Sequence, residues 1–369
     1  MSVLDKDIHQ KAKAIRYCIS NGILPYLEVI VENVREISDI KTVITDLDVL
    51  GVEFSRRGTI KRTLFDCKTV NKMSAINRSF WASGIMSFTG CSESYVILSK
   101  KASEAHRVSA KTLNVHLFQE QDFDSYAASA NINFLDNHSY YHDINNWIAY
   151  YKIFENSSQN IKDIGEFINN KLPVEEDFAK ALRELVGVIR ANRGELDPSK
   201  EKHMAIYCSF ILSFIFVMTP ISAQLADVHE TDCSQAKYEK ILRYYVWGGR
   251  ESYVQRRKLK NAIQVASGNK EGELELPGWE DFVQVSRSFI DAPSELRSSL
   301  LPCRGLSLRY VSEQKQLMDQ DLTKRLTASN RTKQFLMAAS SYIYKATGLP
   351  KDFHTNLISE ISDLDHDED

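Results

Sequence analysis

Cysteine, proline and glycine are all scarce in this sequence: 6 Cys, 8 Pro and 15 Gly among 369 residues. That is too little glycine and proline for a collagen-like or low-complexity chain, whereas 17 Phe and 16 Tyr supply the bulk of packed cores. The cysteines, Cys18, Cys67, Cys91, Cys208, Cys233 and Cys303, include no CxxC pair. Their scatter argues against a zinc knuckle and for reduced thiols, so the expected location is cytoplasmic. Neither sign of charge dominates. With 46 basic residues against 49 acidic ones, the chain is neither a polycation nor an acidic disordered protein. A neutral total still leaves room for a local basic face. The N-terminus, MSVLDKDIHQKAKAIRYC, lacks the apolar core of a signal peptide. Also missing are G-x-S-x-G, HExxH and dinucleotide-binding fingerprints, which argues against hydrolase triads, zincins and nicotinamide enzymes. Gly248-Gly249 has no GKS or GKT continuation and is no phosphate loop.

One long uncharged run is present, Met204–Ala226, 23 residues in length and so long enough to span a membrane. Ser209, Ser213, Thr219, Pro220, Ser222 and Gln224 interrupt it, and no basic cluster sits tight against one end. A buried central helix of an all-α region is the favoured expectation, with a membrane span as the alternative.

The length suits about two domains. Helical spacing of Ile8, Ala12, Ile15 and Ile19 ends at Asn21-Gly22. Strand character follows at Tyr26–Val34, Thr42–Phe54 and Arg62–Val70, with a polar, glycine-bearing hairpin turn, Ser55–Thr59, between the last two. Ser74–Thr89 predicts a helix capped by Ser74 and stopped by Gly90, then come a strand at Tyr95–Ser99, a helix at Lys101–Lys111 and a strand at Val115–Phe118. The order αβββαβαβ predicts a mixed sheet flanked by helices, an α+β or α/β fold. Beyond Phe123 the spacing is helical: Tyr140–Ile153, Ile161–Leu172, Glu175–Ala191, Lys202–Ala226, Ser234–Ala266 and Gln314–Ala346. The expected organisation is a sheet domain over 1–130, an all-α domain over 131–350 and a helix end with a disordered acidic tail over 351–369.

Two carboxylates and a lysine carry the chemistry. Asp48 lies in the second strand, and Asp66 and Lys68 lie in the third. Strand periodicity puts Asp66 and Lys68 on one face and Cys67 on the other, and a hairpin brings Asp48 beside Asp66. Adjacent carboxylates repel unless a cation lies between them, and hard oxygen ligands suit Mg²⁺ or Mn²⁺. A lysine beside such an ion stabilises charge on a phosphate, so the pattern points to metal-dependent phosphodiester hydrolysis.

Asp48 followed by Val-Leu-Gly-Val, a hairpin and Asp66-Cys67-Lys68 resembles the PD-(D/E)xK nuclease superfamily, closest to its Holliday-junction-resolvase and Mrr-like branch. The similarity covers about residues 5–125 and extends to YVILSKKASEAHRVSAKTLNVHLFQEQDF, an apolar strand, a polar helix and a short strand. The resemblance implies a restriction-endonuclease-like fold with Asp48 and Asp66 as metal ligands, the Cys67 carbonyl as a third and Lys68 as the catalytic lysine. Glu28 or Glu32, on the preceding strand, is the expected extra acid. The tripeptide alone is unspecific, since Asp39-Ile40-Lys41 and Glu313-Gln314-Lys315 also match (Asp/Glu)-x-Lys. Only Asp66-Cys67-Lys68 follows an α-β-β context and a preceding Asp48.

Arg56, Arg57, Lys61, Arg62, Lys72 and Arg78 form an expected basic rim for a phosphate backbone. A second nucleic-acid contact is read in RYYVWGGRESYVQRRKLK, where Arg250, Arg256 and Arg257 alternate with tyrosine and tryptophan; an ordinary amphipathic helix accounts for the same pattern. His138 and His142, four apart, have chelating spacing if helical, but no further ligand set accompanies them. The sequence thus predicts a Mg²⁺- or Mn²⁺-dependent endonuclease, and the resemblance alone favours DNA over RNA as its substrate. A homodimer or higher oligomer would cut both strands, and a bacterial genome-defence or mobile-element setting suits the architecture. The competing expectation is a non-catalytic protein that keeps a nuclease-like scaffold and works through a helical interaction or membrane-associated domain.

Overall fold

The computed structural model describes residues 7–33, 40–68, 73–136, 138–228 and 234–366. Its backbone divides into two compact units. The first comprises Met1–Ser55, Thr59–Val174 and Arg304–Arg325, and the second Arg56–Gly58, Glu175–Cys303 and Leu326–Asp369. Residue 130 marks the end of the strand-bearing stretch, but the sheet unit also takes in helical chain up to Val174 and a later piece.

The first unit runs α1 (Ile8–Ser20), β1 (Leu24–Glu32), β2 (Val43–Phe54), β3 (Ile60–Lys68), α2 (Ala75–Thr89), β4 (Glu93–Leu98), α3 (Glu104–Lys111), β5 (Val115–Gln119) and α4 (Glu120–Ala130). This is the αβββαβαβ order read from the sequence, and the expected mixed sheet is present. Its five strands lie in the order β1-β2-β3-β4-β5, with β2 antiparallel to β1 and β3, and β3, β4 and β5 mutually parallel. The local signals act as expected. The Ser74 side chain accepts from the Asn77 N–H, and Gly90 closes α2 in the left-handed region at φ 67°, which costs a residue without Cβ little. Ser103 caps α3, so that helix starts at Glu104 and not at Lys101.

Successive strand residues point to opposite faces. Phe65 meets Tyr17 of α1 edge-on at 5.7 Å, while its neighbour Asp66 meets Arg78 of α2, so the two helices cover opposite faces of the sheet. The α1 face is closed by an aromatic cluster in which Tyr95 stacks on Phe65 at 5.3 Å and Phe123 of α4 joins. Offset and edge-on rings of this kind add to the stabilisation from buried area. The outer edge of β1 is covered by α5 (Ile144–Glu155), α6 (Gln159–Gly165) and a π-helical continuation, Glu166–Lys171. Tyr151 Oη accepts the Leu27 N–H at 2.9 Å and Asn170 Oδ1 accepts the Ile30 N–H at 3.1 Å, which blunts an edge that would otherwise template strand pairing.

The second unit is built on α8 (Glu201–Val228), packed by α7 (Phe178–Asn192), α11 (Trp279–Ile290), α12 (Pro293–Ser298) and α15 (Asn330–Thr347). The apolar run of α8 is buried within the protein, as the central-helix expectation requires. Two stretches read as single helices are each broken. Ser234–Ala266 divides into α9 (Gln235–Val246) and α10 (Arg250–Ala266) at Gly248-Gly249, both at positive φ. Gln314–Ala346 divides into α14 (Gln316–Thr327) and α15, which Ser329 caps. One further helix, α13 (Leu300–Arg309), crosses the unit boundary in sequence. The acidic tail is helical in its first part: α16 (Lys351–His366) includes buried Leu364.

Candidate active site

The register of the β2–β3 hairpin, Val49 opposite Phe65, sets Asp48 and Asp66 across from each other one step beyond the last ladder pair. Lys68, two residues on, shares the Asp66 face. Its ammonium lies 3.1 Å from Asp48 Oδ2 and 3.7 Å from Asp66 Oδ1, so both carboxylates converge on it. The Cys67 backbone N–H donates to Asp48 Oδ2 at 2.7 Å and fixes that carboxylate against the neighbouring strand. The Cys67 side chain is fully buried on the other face and its thiol is pushed well up by burial, which removes it as a nucleophile.

The register of β1 on β2 (Leu27 opposite Val49, Val29 opposite Leu47) puts Glu28 opposite Asp48. Glu28 adopts φ 53°, the left-handed region that a non-glycine residue in a strand rarely enters. Its Oε1 accepts from Lys11 of α1, whose buried ammonium also lies 3.6 Å from Asp48 Oδ1. Asp46, two residues before Asp48 and on the same strand, completes a group in which one oxygen each from Glu28, Asp46 and Asp48 lies within 4.8 Å of the others. Between the two acids expected on β1, the structure therefore selects Glu28. Glu32 instead pairs with Lys41 at 2.7 Å.

Three cations face these acids: the buried Lys11 and the half-buried Lys68 and Arg78. Arg78 of α2 donates from Nε and Nη2 to the two oxygens of Asp66. Its guanidinium carbon lies 4.1 Å from the centre of the Trp81 ring, a cation–π contact. The electrostatics follow burial. Desolvation lifts the Asp48 carboxyl above its ordinary range, and the charge of Asp66 adds to it against Lys68 and Lys11. Burial likewise raises Glu28 to about 7 despite its bond to Lys11. For Lys68 burial works downward, but Asp48 and Asp66 outweigh it and the ammonium stays protonated. A cleft of about 670 Å³ opens on the Glu28 and Asp46 side, walled by Ile30, Val43, Tyr151 and Asn170.

The expected basic rim is largely redrawn. Arg62 is buried and its Nε donates to the Pro173 carbonyl at 2.8 Å, facing the interior and no substrate. Arg78 is engaged with Asp66 and is not a free rim cation. Lys61 pairs with Glu93 at 2.8 Å. Arg56 and Arg57 are exposed on the turn after Phe54, and Asp48 is six residues, about 20 Å of strand, before that end of β2. These two do not border the carboxylates. Lys72 lies outside the described residues. On α10, Arg250 is exposed, Arg256 donates to Ser252 Oγ at 3.1 Å and Arg257 pairs with Glu273 at 2.9 Å. Arg243 of α9 is shared by Glu239 and Glu275, so with Arg257 two of that segment's six cations are paired with acids of their own unit. His138 and His142 sit in a loop, without the helical spacing that chelation needs, and burial lowers His142 to about 4.

Lys11 and Asp46 were missed by sequence reasoning although each has a signal. Asp46 has the same strand parity as Asp48. Lys11 shares the buried helix stripe of Ala14, Ile15 and Cys18, where a lone lysine needs a buried partner. No family model, curated protein or solved structure matches this chain.

Proposed function

We propose that the sheet unit is a divalent-metal-dependent phosphodiesterase of the PD-(D/E)xK nuclease type, acting on a nucleic acid and, by the resemblance, on DNA. The observation that carries the reading is the convergence of Asp48 and Asp66 on Lys68 at 3.1 and 3.7 Å, on adjacent strands of an αβββαβαβ scaffold. The donor set suits Mg²⁺ or Mn²⁺ because it is all oxygen: Glu28, Asp46 and Asp48 are close enough to share one ion, Asp66 lies beyond Asp48, and the resemblance adds the Cys67 carbonyl. A divalent ion there would polarise a phosphodiester oxygen and lower the pKa of a bound water. The chain's own contribution is positional. Asp48 is pinned by the Cys67 N–H and Lys68, and the protonated Lys68 holds a fixed positive charge where negative charge develops on phosphorus-bound oxygens. The cleft beside Glu28 and Asp46 gives the substrate a route to the carboxylates.

A second reading is a nuclease-like scaffold without activity. It is favoured by Arg78, which takes both oxygens of Asp66. Nicking of plasmid and single-stranded DNA in Mg²⁺, Mn²⁺ or EDTA separates the two. Metal-dependent nicking that falls by about 10²–10³-fold in Asp48→Ala and Lys68→Ala supports the enzyme. Nicking that survives both substitutions, or none under any condition, overturns it.

A further inference from the structure

We propose that Arg78 is a phosphate-sensitive latch on the cation site, which couples substrate binding to metal binding. Resting on the nuclease reading above, the latch adds regulation of that same site. Both oxygens of Asp66 are engaged by the guanidinium, and Asp66 is only 2% exposed, so no other donor face of this carboxylate is open. The charge balance makes the same point. Lys11 pairs with Glu28, Lys68 with Asp48 and Arg78 with Asp66, while the exposed Asp46 is a fourth acid beside Glu28 and Asp48. A divalent ion that took Asp66 as a ligand while Arg78 and Lys68 stayed would crowd positive charge onto one buried carboxylate in a region of low dielectric. One resident cation has to leave for the ion to be held.

Lys11 is the least able to leave, since it is 2% exposed and tied to Glu28 beneath the sheet edge. Lys68 touches both carboxylates from its own strand and, as an ammonium, has no planar fork to trade for a phosphate. Arg78 differs in both respects. It stands on α2 with the guanidinium against the Trp81 ring, partly exposed at 15%, and its two-pronged contact with a carboxylate is the geometry that phosphate also offers. A backbone phosphate arriving at the site competes for the fork and releases Asp66. By linkage the effect is reciprocal: an ion that gains Asp66 frees Arg78 and tightens phosphate binding by the same factor.

The test is Mn²⁺ binding to the full chain, followed by the loss of the free-ion EPR signal, with and without a short phosphorothioate DNA duplex. In wild type the duplex is expected to tighten Mn²⁺ binding within the common coupling range of about 5–150-fold. Arg78→Gln, which keeps a hydrogen-bond donor beside Asp66, is expected to bind Mn²⁺ more tightly without DNA and to lose most of the DNA effect. Arg78→Lys is expected to fall between, and circular dichroism of each variant checks the fold. If Arg78→Gln binds Mn²⁺ equally or more weakly while Asp48→Ala abolishes binding, the latch is overturned and the metal site stands. Mn²⁺ binding in no variant overturns both.

Discussion

Along α8 of the helical unit, three buried hydroxyls are satisfied within about one helical turn: Ser209, Ser213 and Thr219 donate to the carbonyls of Ala205, Ser209 and Ile215 at 2.7–2.9 Å, while Tyr207 Oη reaches Ser340. In the sheet unit, the buried charged groups find partners far along the chain. Lys11 meets Glu28, Cys67 meets Asp48, and Arg62 reaches Pro173, separations of 17, 19 and 111 residues. The buried polar groups of the helical unit are uncharged, and hydroxyls there pair within the helix or with another hydroxyl, as Tyr238 does with Ser286 at 2.8 Å. The sheet unit buries full charges whose cost is offset only when the tertiary structure is in place. Charges held at such a cost, in fixed geometry and beside a cleft, are the raw material of a reactive site.

Single substitutions should behave differently in the two units. Phe214, buried against Phe289 and Tyr342, is expected to lose about 3–5 kcal/mol on Phe214→Ala, as a cavity cost that adds to that of distant changes. Lys11→Met should cost a similar ~3–5 kcal/mol for another reason, because it takes from Glu28 its cation while Asp48 still faces it. Adding Glu28→Gln to Lys11→Met is expected to recover part of the loss. Urea unfolding of the single and double variants reads the coupling, and strict additivity at Lys11 and Glu28 would erase the contrast between the units.

A smaller effect follows from pH. Burial raises the Glu28 carboxyl from 4.5 to about 7, against the pull of Lys11. Between those values the folded chain holds a proton that the unfolded chain has released, so this group makes the free energy of unfolding fall as pH rises through the window. The slope is at most about 1.4 kcal/mol per pH unit, and the loss is complete above about 7. Glu28→Gln should flatten the profile across that range. An unchanged slope would mean that Glu28 is ionised throughout.

The smallest effects should be the same in both units. Ser74 caps α2 in the sheet unit and Ser329 caps α15 in the helical one, each accepting from a backbone N–H of the first turn. Ser→Ala at either position is expected to cost about 1 kcal/mol in thermal unfolding. Unequal costs would place a tertiary role on one of the two hydroxyls.

Much of the scaffold was legible because its signals are short in range. Alternation marked β2, Ser74 and Gly90 bounded α2, and period two put Asp66 and Lys68 on one face. The misreadings share a cause. Arg62 looks like a rim residue because arginine is usually exposed, whereas it is buried and donates to the Pro173 carbonyl, 111 residues away. The helix at Ser234–Ala266 was read through Gly248-Gly249 because flanking residues keep helical spacing, whereas the two glycines take positive φ and break it.

By itself the sequence determined the αβββαβαβ elements of the sheet-bearing part, their order and the strand parity that brings Asp48, Asp66 and Lys68 together. Those follow from backbone periods of 2.0 and 3.6 residues, which any short window records. Only the tertiary structure decided which cations neutralise those acids, that Glu28 and not Glu32 joins them, and that Arg78 holds Asp66. These choices depend on long side chains meeting across helices and strands, where the favourable partner is set by burial and distance and not by position in the chain.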